Sequence, residues 1–266
     1  MTGSADRCER LLPVLTPVHA FSHATAALLH GAPLPGRFTD APLSVIAIGE
    51  RTPLRHRGVI GRWTADDETP RRVVDGLPVI APAEILPQLA ERVPLLGLPL
   101  PHPWLVAVAD YLVSGERAPA ARWIVPCTMA ELEDAVARHR GRRGVRAVEA
   151  ALELCRVGVD SPEETFLRLA LIEGGLPEPV VQIPVMTSEG LRHADLGYPE
   201  ERVLLEFQGD GHRTSRIRWL DDLRRVQLFE DAGYRVIAVG QSDVHPTAGP
   251  LVSRVRRALR GTRWHG

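Results

Sequence analysis

The stretch "RHADLGYPEERVLLEFQGDGHR" (192–213) sets Asp195 and Glu206 inside short apolar runs and follows them at once with Gln208, Asp210 and His212. Burying an unpaired carboxylate in a sheet incurs a heavy desolvation cost. Either these acids face solvent, or something cationic sits between them. The run "PEE" (199–201) reads as a turn. Residues placed symmetrically about such a turn fall side by side on antiparallel strands about 4.8 Å apart. Asp195 and Glu206 would then meet on one face, within reach of a common ion. Two acids that close repel, and one is protonated unless a cation holds them. Oxygen-only donors suit Mg²⁺ or Mn²⁺, which keep several waters.

Three further residues could join that pair. Glu164 stands three residues after Ser161, so it reads either as a third carboxylate or as the acid of a helix capping box. Gln208 lies two residues beyond Glu206 and shares its strand face. Its amide could orient a water or bind metal through oxygen, or it is a polar edge residue. His212 could donate to a phosphate or act as an acid, or it is a plain loop histidine.

The elements that must carry these residues are marked by caps and periodicity. "SPEETFLRLALIEGG" starts a helix with Ser161 at the N-cap and Pro162 at the first position, and stops at Gly174–Gly175. "EPVVQIPVM" (178–186), "LRHADLGY" (191–198) and "RVLLEFQG" (202–209) read as strands, the last the most apolar and so the most central. An amphipathic helix over 215–233 ends at Gly233, "YRVIAVG" (234–240) is a buried strand, and a closing helix follows. The order is helix, three strands, helix, strand, over residues 158–266.

Residues 1–157 read differently. Two short helices over 7–32, joined by a tight link, precede strands at 43–49 and 57–64 separated by an Arg-rich turn. A helix pair followed by a β-ribbon is a winged-helix pattern. Beyond it lie a strand and helix over 76–93, a Pro-rich loop, and helices at 103–115, 128–141 and 144–158. Thr128 and Glu131 have capping-box spacing. The whole chain is expected to be α/β, α+β overall, with this region mainly helical. Arg51, Arg55 and Arg57 could contact phosphates, or they form a solvated turn.

Composition bounds the function classes. A net charge of −1 gives no global basic field to attract nucleic acid or an anionic membrane. All 32 basic residues are arginine, so no ammonium is available as a general base or Schiff-base former. Cys8, Cys127 and Cys155 lack CxxC spacing, which argues against a zinc site or a disulfide framework. No leader-like or membrane-spanning apolar run occurs, so a cytoplasmic, non-membrane protein is expected.

The segments "SPEETFLRLAL", "GLPEPVVQ", "ADLGYPEERVLLEFQGDGHRT", "DDLRR" and "GYRVIAV", taken in order, resemble the very-short-patch-repair-like endonuclease domains of the PD-(D/E)XK nuclease superfamily. The resemblance covers about residues 158–260. It implies a restriction-endonuclease-like αβββαβ core, DNA as partner and Mg²⁺ or Mn²⁺ as cofactor. Asp195 and Glu206 would be the metal-binding acids, Glu164 the helix acid and His212 the loop histidine. Asp222 and Arg225 would be the helix pair closing the site. The superfamily's third-strand motif commonly ends in Lys, where this chain has Gln208. "FSHATAALLHGAPLP" more loosely resembles AbiEi-type winged-helix modules. The implied activity is metal-dependent endonucleolytic hydrolysis of DNA. The alternative is a DNA-binding regulator or antitoxin-like protein with a catalytically degenerate nuclease fold. RNA as substrate and a homodimer as the assembly stay open.

Overall fold

The computed structural model describes residues 2–117, 123–208 and 216–261. They form an α/β fold in two compact units, 1–157 and 158–266. Among the described residues, no helix is long and apolar enough to cross a membrane.

The first unit opens with helix α1 (Thr2–Leu11), strand β1 (His19–Phe21) and helix α2 (His23–Leu29). Strands β2 (Leu43–Ile48), β3 (Val59–Thr64), β4 (Arg71–Val74) and β5 (Leu77–Ile80) follow. Helices α3 (Pro82–Leu89) and α4 (His102–Ser114), the short strands β6 (Glu116–Arg117) and β7 (Trp123–Ile124), and helices α5 (Met129–Arg138) and α6 (Val145–Glu153) complete it. The capping box expected at α5 is present: Thr128 Oγ1 accepts the Glu131 N–H at 3.2 Å, and Glu131 Oε2 accepts the Thr128 N–H at 2.7 Å.

The expected helix pair with a β-ribbon is corrected here. Strand β1 separates α1 from α2 and sits mid-sheet in the order β3-β2-β1-β5-β4. β2 and β3 pair in parallel, from Leu43 opposite Val59 to Ile48 opposite Thr64, so they are not the two arms of a hairpin. Burial is the physical reason. All six residues of β2 are buried, so "LSVIAI" is an interior strand flanked on both sides rather than one arm of an exposed wing. The unit's helices accompany a five-stranded mixed sheet.

The second unit runs helix α7 (Pro162–Glu173), strands β8 (Val180–Thr187), β9 (Gly190–Tyr198) and β10 (Val203–Gln208), helix α8 (Arg216–Asp231), strand β11 (Arg235–Gly240), and helices α9 (Gln241–Val244) and α10 (Gly249–Gly261). The sheet order is β11-β10-β9-β8, with β10 parallel to β11 and antiparallel to β9. Val203 and Leu205 of β10 pack with Leu167 and Leu171 of α7 and Val255 of α10. Leu204, between them, packs with Phe229 of α8 on the opposite face. Apolar side chains on both faces are what "VLLEF" requires of a strand covered on both sides.

Two contacts fix the start of β10. Gly197 lies so close to its partner that an added Cβ would fall 2.3 Å from the Val203 carbonyl oxygen, so only glycine fits. Arg202, at φ 53 in the turn region before β10, donates to the carbonyls of Ala232 (2.7 Å) and Gly233 (2.9 Å) just beyond α8. That ties the start of β10 to the end of the helix that faces it.

Candidate active site

The β9–β10 register pairs Tyr198 with Val203, Gly197 with Leu204 and Leu196 with Leu205. One step further Asp195 meets Glu206, and there the bonding changes. The Asp195 N–H donates to Glu206 Oε1 at 3.2 Å, and the Phe207 N–H donates to Asp195 Oδ2 at 2.9 Å. Each carboxylate thus satisfies a backbone donor on the neighbouring strand. The two acids are brought together as the turn symmetry predicts.

A cation does sit between them, and it is Arg225 of α8. Its Nε donates to Glu206 Oε2 at 2.5 Å, its Nη2 lies 3.5 Å from Asp195 Oδ1, and Nη2 also donates to the His193 carbonyl. The guanidinium stands over the Phe229 ring at 5.3 Å, which fixes its approach.

Glu164 enters from the first turn of α7. Ser161 Oγ accepts the Glu164 N–H at 3.2 Å and donates to Glu164 Oε1 at 3.0 Å, while the Asp160 N–H donates to Oε2 at 3.2 Å. Its capping role is therefore real. Glu164 also interacts with Asp195: burial first, and the Asp195 charge next, push its carboxyl up to about 8. Burial and the same Asp195 charge push Glu206 up to about 7, with Arg225 pulling the other way. Glu164 and Glu206 are only 5% and 6% exposed, so water screens little of this. The Arg225 guanidinium reaches two of these three carboxyl groups, Glu206 and Asp195.

Gln208 is exposed at the end of β10, level with Gly240 of β11. His212 and Asp210 lie outside the described residues, as does the side chain of Asp222. Arg51, Arg55 and Arg57 are exposed between β2 and β3 of the first unit, with the Arg51 guanidinium 5.9 Å from the exposed Trp63 ring.

Gln182 belongs to the site and carries no signal in the sequence. The β8–β9 register pairs Val181 with Leu196 and Ile183 with Ala194, which leaves Gln182 opposite Asp195. Its φ is +50, in the left-handed region, and its Nε2 lies 3.5 Å from Glu164 Oε2. Gly197, also unmarked beforehand, had a signal: a glycine within an apolar strand beside an acid.

Among the described residues no three His, Cys, Asp or Glu side chains are arranged to hold a metal ion. What the site offers is the Asp195–Glu206 pair, and Mg²⁺ is commonly bound by one or two carboxylates with waters and substrate phosphates.

Comparison with known proteins finds one uncharacterized protein in each of two strains of Mycobacterium tuberculosis. Each is 30% identical over 141 residues, covering 53% of this chain and 52% of the relative. The chain spans about half the length of the curated relatives it matches. No family model matches. No solved structure matches either.

Proposed function

We propose that the second unit is a metal-dependent endonuclease that hydrolyses phosphodiester bonds in DNA. The observation that carries this reading is the Asp195–Glu206 pair, Glu206 buried and Asp195 partly buried, held side by side with Glu164 acting on Asp195 from α7. An ion bound there would lower the pKa of an attached water and stabilise charge developing on the phosphate. Asp195 and Glu206 would hold it, each with one oxygen already fixed by a backbone N–H. Arg225 keeps the two acids in register, and its Nη2 group can turn to a non-bridging phosphate oxygen. Glu164, protonated near neutrality, can give or take a proton beside Asp195. Gln208 at the strand end can orient a water. The first unit would deliver DNA through Arg51, Arg55 and Arg57. The likeness of residues 158–260 to very-short-patch-repair-like endonucleases supports the same assignment.

Two observations favour a second reading, a DNA-binding regulator on a degenerate nuclease fold. Gln208 stands where such domains commonly carry Lys, and Arg225 already occupies both acids. Incubating supercoiled plasmid with the protein and Mg²⁺ separates the two. Under the nuclease reading the wild type cuts, chelator stops it, and Asp195→Ala does not cut. An Asp195→Ala protein that retains Mg²⁺-dependent cleavage would contradict the assignment.

A further inference from the structure

Gln182 adopts a backbone conformation that favours glycine, in the middle of a strand, directly opposite Asp195. The strand changes face there. Val181 packs with the cluster that includes α7 and α10, whereas Ile183 and Val185 pack with Phe229 of α8. β9 makes the same change across from it, with Leu196 in the first cluster and Ala194 in the second. Regular strands keep i and i+2 on one face. The switch puts Asp195 at a crossing point, where it interacts with Glu164 from α7 and lies 3.5 Å from Arg225 of α8, helices that cover opposite faces of the sheet.

A kink alone would be served best by glycine, which populates this region freely. The chain keeps a long amide side chain there instead, and that amide reaches Glu164. Backbone strain retained at such a point is an observation from which a functional role can be argued.

We propose that Gln182 is a positioning residue of the site. Its backbone turns the sheet so that acids carried on opposite faces converge at Asp195, and its amide aims Glu164 toward the Asp195–Glu206 pair. This inference rests on the nuclease reading and names a residue that the reading does not include.

The test compares wild type, Gln182→Gly and Gln182→Ala in the full chain. Both variants delete the amide, and glycine alone also relieves the backbone. Calorimetric titration with Mn²⁺ and thermal melting are read on each. Disturbing the groups that surround metal-binding carboxylates, as Glu164 surrounds Asp195, typically weakens metal binding about tenfold to a hundredfold. The expected result is that weakening in both variants, while Gln182→Gly melts at or above the wild-type temperature. In plasmid cleavage the loss should fall on kcat, with KM for DNA within about twofold. A Gln182→Gly protein that binds Mn²⁺ as the wild type does makes Gln182 a kink only; this inference is then overturned and the nuclease reading stands. A wild type that neither binds Mn²⁺ nor cuts DNA overturns the nuclease reading and this inference with it.

Discussion

Glu84 in the first unit and Glu206 in the second are both buried glutamates, 2% and 6% exposed, but their surroundings differ in kind. Glu84 Oε1 accepts both Nε and Nη2 of Arg138, and Oε2 pairs with His139 Nε2 at 2.9 Å. Burial pushes its carboxyl up, but the bonds from His139 and Arg138 outweigh that and hold it below the usual carboxylate range. Nearby Glu91 is handled the same way, with Arg62 at 3.0 Å and His23 at 3.7 Å. In the second unit Glu164, Asp195 and Glu206 have Arg225 among them, and both glutamates are pushed up instead. A buried acid matched by cations is part of the scaffold. Buried glutamates whose carboxyls are pushed up by desolvation and a neighbouring acid are the electrostatic mark of a candidate site.

The largest expected effect comes from removing a shared ligand. Metal assistance supplies several kcal/mol of transition-state stabilisation, at about 1.4 kcal/mol per factor of ten, so Asp195→Ala should slow plasmid cleavage about a thousandfold or more. Folding should survive, because removing Asp195 also removes the charge that pushes Glu164 and Glu206 up. In the matched cluster, substitution acts on stability instead. Glu84→Gln strands the buried His139 and should cost about 2–3 kcal/mol by urea denaturation. That is below the full cost of breaking a buried pair, because Arg138 is 38% exposed.

The smallest effect is a change of slope with pH. Glu164 and Glu206 titrate higher in the folded chain than in the unfolded one, so the folded state holds protons that the unfolded state has released. Their stabilising contribution is full below the unfolded carboxylate range and is lost as pH rises through about 7 to 8. The metal-free protein should therefore melt at a lower temperature at pH 8 than at pH 5.5, as far as these groups contribute. Glu164→Gln should flatten that slope and stabilise the metal-free protein at pH 8. Glu84, held low, contributes the opposite trend, so Glu84→Gln should leave the fall above pH 6 in place. A Glu164→Gln variant with the wild-type slope would break the contrast.

Much of the second unit was legible because its signals are local. Ser161 and Pro162 mark the start of α7, "VLLEF" marks a doubly covered strand, and the turn after Tyr198 places Asp195 beside Glu206. Arg225 was named only as one of a helix pair; that it reaches both acids depends on α8 docking against the sheet, which no short spacing encodes. Gln182 gave no warning, since left-handed backbone is ordinarily signalled by glycine or asparagine. The first unit was read less well for the same reason. β1 has three residues, too few for a periodicity. The parallel pairing of β2 with β3 is a tertiary choice that two apolar runs and a polar connector do not distinguish from a hairpin.

The metal-holding role of Asp195 and Glu206 is tested most directly by calorimetric titration of the metal-free protein with Mn²⁺ at pH 8, wild type beside Glu206→Gln. A divalent ion completing the site should bind the wild type with release of protons and bind Glu206→Gln at least about tenfold more weakly. Absence of binding in the wild type, or equal affinity in the two proteins, would contradict it.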